Sequence, residues 1–126
     1  MSFDWGEYLN VAGELAATPF APSTTEAKQR SAISRSYYAA FGNARDHLQN
    51  VDGDGNVPRG PQAHEYVRLT FKASPNPRRK SIGEGLNRLR RARYRADYAD
   101  IMNGFVGETR FAVRLAELVI RDLAAL

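Results

Sequence analysis

Apolar residues recur every three or four positions along most of the chain and nowhere alternate, a pattern that predicts helices and no sheet. Five stretches carry it. Ser2–Ala17 places Trp5, Leu9, Ala12 and Ala16 on one face, with Tyr8 and Leu15 on its shoulder. Thr25–Gln49 bears a continuous stripe of Ile33, Tyr37, Ala40, Phe41, Ala44 and Leu48, the strongest helical pattern in the chain. Ser34, Tyr38 and Arg45 flank that stripe, and Arg35 and Asp46 lie farther round. Gln62–Lys72 is a short helix with His64, Val67 and Phe71 on one side. Ser81–Asp100 aligns Ile82, Leu86, Leu89, Arg93 and Ala96. Val106–Ala124 has a face of Phe111, Ala112, Leu115, Leu118 and Val119, plus a narrower stripe of Val106, Val113 and Ile120 spaced by sevens.

The connections read as breakers. Pro19 and Pro22 end the first helix, and Ser23 with Glu26 three positions later forms a capping box for the second. Asn50–Pro61 is a flexible turn by its glycine, proline and aspartate content. Its Asp52, Asp54 and Asn56 imitate the start of a calcium loop, but Val57 stands where that loop needs glycine and Ala63 where it needs glutamate, so calcium is rejected. Ser74-Pro75-Asn76-Pro77 breaks the chain again, leaving Arg78-Arg79-Lys80 as an exposed basic approach to the fourth helix. Asn103-Gly104 marks the last turn. The expected architecture is a single domain over residues 1–126, an all-α antiparallel bundle of four to five helices. Ala39, Ala40, Gly42 and Ala44 would let a neighbouring helix approach closely.

Charge changes the picture more than composition does. The net charge is +4 and the isoelectric point near 9.7, yet the excess is gathered in one segment. Between Arg78 and Arg95 eight Lys/Arg face a single acid, Glu84, and the rest of the chain is net acidic. Such clustering points to an anionic partner, RNA, DNA or nucleotide phosphate. Phosphate-binding candidates are Arg78, Arg79, Lys80, Arg90 and Arg91, joined on the second helix by Arg35 and Tyr38. Arg93 is different. It sits inside an apolar stripe, where a cation is costly unless paired, and Asp97 lies one turn on as its partner.

Other chemistries are thinly supplied. The chain has no cysteine and two histidines, His47 without a ligand at metal spacing and His64 on an apolar face, where packing is the ordinary role. No metal site and no cofactor are expected. The first residues, MSFDWGEYLN, lack a basic n-region and an apolar h-region, and no apolar run reaches membrane-spanning length. The expected compartment is the cytoplasm, away from membranes.

The segment Ala32-Ile33-Ser34-Arg35-Ser36-Tyr37-Tyr38-Ala39-Ala40-Phe41 resembles the alanine-and-tyrosine helix of small HEPN domains (higher eukaryotes and prokaryotes nucleotide-binding). His64-x-x-Val67-x-x-x-Phe71 resembles their third helix, and Leu86-x-x-Leu89-Arg90-x-x-Arg93-x-x-Ala96-Asp97-Tyr98 the signature before their last helix. The resemblance runs in order from about Tyr8 to Leu123. It implies a dimeric all-α bundle that binds RNA or nucleotide, often as a toxin encoded beside a nucleotidyltransferase antitoxin. In nucleolytic members an Arg-x(4–6)-His motif, composite across the dimer, supplies the chemistry. Here the positions after Arg90, Arg91 and Arg93 hold Arg95, Ala96, Asp97, Tyr98, Ala99 and Asp100, never histidine.

Three functions follow as expectations. The first is an RNA- or nucleotide-binding protein of a toxin–antitoxin or defence pair. The second is a metal-independent ribonuclease using Arg93, Asp97 and Tyr98 across a dimer. The third is a non-catalytic interaction module. Binding is the better supplied, because an aspartate paired with arginine makes a poor general acid and a tyrosine hydroxyl a poor base.

Overall fold

The computed structural model describes residues 3–17, 25–100 and 105–126. Helices α1 (Glu7–Ala17), α2 (Thr25–Asp46), α3 (Gln62–Lys72), α4 (Pro77–Tyr98) and α5 (Phe105–Ala124) follow in order, and α2 runs on into a five-residue π-helical turn, His47–Val51. No strand occurs among the described residues. Pro19, Pro22, the Ser23 end of the capping box and the Asn103-Gly104 turn lie outside them.

The α2 and α4 stripes form the core as their spacing predicts. Ile33, Tyr37, Ala40, Phe41, Ala44 and Leu48 are all buried, as are Ile82, Leu86, Leu89 and Ala96. Val67 and Phe71 of α3 complete the same cluster, each fully buried. Burying a side chain of that size is worth about 1.5–3 kcal/mol. Helix α2 packs on α1, α4 and α5, while α4 also packs on α3 and α5. Close approach does need small residues: a Cβ at Gly42 would overlap the Trp5 indole, and one at Gly83 would overlap the backbone of Lys72 in α3.

Beyond α1, which begins at Glu7 rather than Ser2 and buries only Ala12 of its predicted face, three sequence expectations change. Helix α4 begins four residues earlier than Ser81, because Asn76 Oδ1 accepts from the amides of Arg78 and Arg79 and Pro77 fills the first helical position. That cap is worth about 1 kcal/mol. Arg78, Arg79 and Lys80 therefore belong to the first turn of α4 rather than to an approach. The Asn50–Pro61 loop is tied down: the Tyr66 hydroxyl donates to Asp54 (2.7 Å), and Asp52 pairs with Arg79 and lies 3.5 Å from His47 Nε2. Both aspartates are thereby occupied.

The third change concerns α5. Its buried line is Thr109, Ala112, Ala116, Val119 and Leu123, whereas Phe111 and Leu118 of the predicted face are 41% and 36% exposed. The alanines face inward because they let the α5 backbone approach α2 and α4. Phe111 finds a different cover, the Arg88 guanidinium 5.0 Å above its ring. Val106 is exposed, and Val113 and Ile120 are half-buried.

Candidate functional site

An open cleft of about 500 Å³ lies between α2 and the C-terminal half of α4, lined among others by Arg30, Ser34, Arg35, Tyr38, Arg93 and Asp97. Its position follows from the two stripes. With Ile33 and Tyr37 turned inward, Ser34 and Tyr38 fall on the shoulder of α2 that borders α4. With Leu89 and Ala96 turned inward, Arg93 falls on the matching shoulder of α4.

Arg93 is held on three sides. Its Nε stands 3.0 Å from Asp97 Oδ2, and the two side chains keep 25% and 28% of their exposure. The approach is close but poorly aligned, so Nε makes no directed hydrogen bond, and the contact is an ion pair only. The guanidinium carbon lies 5.2 Å from the Tyr38 ring centre and 5.9 Å from that of Tyr37. Arg30 works differently. It donates to the carbonyls of Ala96 (2.9 Å) and Asp100 (3.4 Å), satisfying acceptors that the end of α4 leaves open, and it lies 3.9 Å from Glu26. Arg35 reaches across to lie 5.0 Å from the Tyr8 ring centre. Three guanidiniums to one carboxylate on its lining make the cleft cationic.

Behind the cleft, His64 and Tyr37 form a small polar inclusion in the core. The His64 ring stacks on Phe41 at 4.1 Å, and its Nδ1 is 2.5 Å from the Tyr37 hydroxyl. Burial, then the Arg93 and Arg45 guanidiniums, hold the His64 imidazole below its ordinary range. Burial pushes the Tyr37 phenol up to about 12 against the pull of Arg93. A neutral imidazole and a protonated phenol fit one arrangement, with the Tyr37 hydroxyl donating to Nδ1 and the His64 proton on Nε2. The packed role expected for His64 is the one it has.

This pair predicts a pH dependence. His64 binds its proton less readily folded than unfolded, so its contribution is present above about pH 6.5 and is lost as pH falls towards the lowered folded value. Urea melts between pH 7.5 and 5.5 should show stability falling with acidification, and His64→Gln should flatten that slope. A slope unchanged by His64→Gln would remove His64 as its source.

The structure brings Arg35, Tyr38, Arg93 and Asp97 together and separates the remaining candidates. Tyr98 is 64% exposed and packs on Tyr94, outside the cleft, so Arg93, Asp97 and Tyr98 do not converge within one chain. Arg90 is half-buried, with Nη2 donating to Asn87 Oδ1 (3.3 Å) and Nε buried without a partner. Arg91 borders a separate shallow pocket with Arg90, Tyr94 and Arg95. Arg78, Arg79 and Lys80 lie at the far end of α4, about 22 Å of helix rise from Arg93. Two of them are engaged. Arg78 donates to the Ala125 carbonyl (2.9 Å), and Arg79 pairs with Asp52 while covering Phe71 at 4.8 Å.

Sequence reasoning missed Arg30. Its signal was its place three and four positions before Ile33 and Ser34, on the same side of α2 as the cleft. No group of metal-binding side chains occurs among the described residues. Among the described residues no helix is long and apolar enough to cross a membrane. The chain matches no family model, no curated protein and no solved structure.

Proposed function

We propose that the chain binds the phosphate groups of RNA or of a nucleotide in the α2–α4 cleft. One observation carries this reading: Arg35 and Arg93, from two different helices, border the same open cleft beside the Tyr38 ring. Guanidiniums match phosphate oxygens in fork geometry, and a tyrosine face beside them suits a base or ribose. The resemblance to small HEPN domains supports RNA or nucleotide over a simple anion. It also supports the setting, a toxin–antitoxin or defence pair with a nucleotidyltransferase partner.

Binding is favoured over cleavage by the same geometry. The cleft carboxylate, Asp97, is committed to Arg93, Tyr98 lies elsewhere, and the His64 Nδ1 is turned to Tyr37. Proton transfer to and from a ribose hydroxyl needs a group free to do it. Arg93 could still stabilise charge on a phosphate.

The test is fluorescence anisotropy with a labelled RNA 12-mer and with ATP, on wild type, Arg35→Ala and Arg93→Ala. Wild type should bind at low salt, with both variants weaker. Wild-type affinity in both variants, or no binding by wild type, would sink the proposal.

The homodimer implied by the same resemblance is proposed through the face of α5 bearing Val106, Val113 and Ile120, the first exposed and the other two half-buried. Val113→Glu with Ile120→Glu should then give a folded monomer by sedimentation. A double variant that unfolds would return both residues to the core.

A further inference from the structure

The solvent face of α4 carries a feature that the cleft does not use. At 100° per residue, Arg88, Arg91, Tyr94, Arg95 and Tyr98 fall within about a third of the helix circumference. Tyr94 and Tyr98 are 61% and 64% exposed, their rings 4.9 Å apart and tilted by 51°. Arg91 forms no ion pair among the described residues, and Arg95 has Glu108 at 2.9 Å. Arg90, Arg91, Tyr94 and Arg95 border a shallow pocket of about 310 Å³.

A solvated helix face needs none of this. Large rings left in water forfeit the burial that stabilises a fold, and closely spaced arginines repel one another. Rings interleaved with guanidiniums instead match one ligand chemistry, flat aromatic bases joined by phosphates. A duplex hides its base faces, so the match is to unpaired bases.

We infer that this strip is a track for single-stranded polynucleotide, with Tyr94 and Tyr98 stacking unpaired bases and Arg88 and Arg91 holding the flanking phosphates. Around the helix, Asp97 and Arg90 lie between Arg93 and Tyr94, so a strand leaving the cleft passes directly onto the strip. The inference extends the phosphate reading of the cleft and can fail separately from it.

The experiment uses fluorescein-labelled 12-mers: oligo-U, oligo-dT, an RNA duplex and an abasic strand with the same number of phosphates. The proteins are wild type, Tyr94→Ala with Tyr98→Ala, Tyr94→Phe with Tyr98→Phe, and Arg35→Ala. Alanine suits an exposed helical position, so the double variant folds. It should bind oligo-U and oligo-dT about 10- to 100-fold more weakly with an unchanged salt slope, because stacking is lost and no phosphate contact is. The phenylalanine pair should retain affinity, and the abasic strand and the duplex should bind wild type weakly. Tighter binding of oligo-U than of oligo-dT assigns RNA; equal binding assigns either strand.

Wild-type affinity in the double alanine variant, or an abasic strand bound as tightly as oligo-U, overturns the track. If Arg35→Ala weakens binding under those results, the cleft reading stands and the strip falls. Loss in the tyrosine variant with none in Arg35→Ala leaves the strip and removes the cleft. No binding by wild type at low salt overturns both. A changed oligomeric state with unchanged oligonucleotide affinity would give the strip to a protein contact instead.

Discussion

Gly83→Ala should destabilise the protein by about 2 kcal/mol, although alanine favours a helix over glycine by about 1 kcal/mol. The added Cβ would meet backbone atoms of Lys72, with the Lys72 Cα only 2.7 Å away. Backbone cannot rotate aside as a long side chain can, so α3 and α4 must separate. The core cluster that Val67 and Phe71 share with Ile82 and Leu86 would loosen with them. Gly13→Ala is the control. Nothing lies within 4 Å of a Cβ at Gly13, so that change should stabilise by up to about 1 kcal/mol. Thermal melts of the two variants should shift by several degrees in opposite directions. Equal shifts would mean that α3 and α4 do not approach this closely.

Arg93→Ala should leave the fold nearly intact while weakening phosphate binding about 10- to 100-fold. A fully buried partner would be stranded by this change at a cost of about 3–5 kcal/mol. Here water reaches both members of the pair, which keep about a quarter of their exposure, so the cost should be near 1 kcal/mol. The ligand loses more. A charged hydrogen-bond donor is worth about 1.5–3 kcal/mol to its acceptor, equal to the predicted loss in affinity. Arg93→Lys should fall between the two, since it retains the charge and loses the planar fork. Chemical denaturation and RNA titration on the same samples separate the effects. A strongly destabilised Arg93→Ala with undiminished RNA affinity would make Arg93 a scaffold residue.

Much of this was legible in the chain. The α2 and α4 stripes fixed which sides of two long helices face inward, since Ile33 through Ala44 keep one period and, apart from Arg93, so do Ile82 through Ala96. What failed did so for identifiable reasons. Asn76-Pro77 reads as a breaker, yet the same dipeptide is a cap and a first helical residue, and only the amides of Arg78 and Arg79 show which. On α5 the spacing put Phe111 and Leu118 inside beside Ala112 and passed over Ala116, whereas close packing buries both alanines and leaves the two larger residues partly exposed. The π-helical turn at His47–Val51 was hidden because Leu48 falls on the stripe with either winding. The cleft is a product of two helices. Arg35, Tyr38 and Arg93 were each named from sequence, but their meeting depends on how α2 lies against α4, which no periodicity encodes.

The salt dependence of RNA binding tests the central claim most directly. For single strands, each phosphate neutralised contributes about 0.7 to the slope of log K against log salt. Wild-type protein titrated with oligo-U across a series of potassium chloride concentrations should show a clear negative slope. Arg35→Ala and Arg93→Ala should each make that slope shallower by about 0.7 while lowering affinity. Wild-type slopes and affinities in both variants would contradict phosphate binding in the α2–α4 cleft.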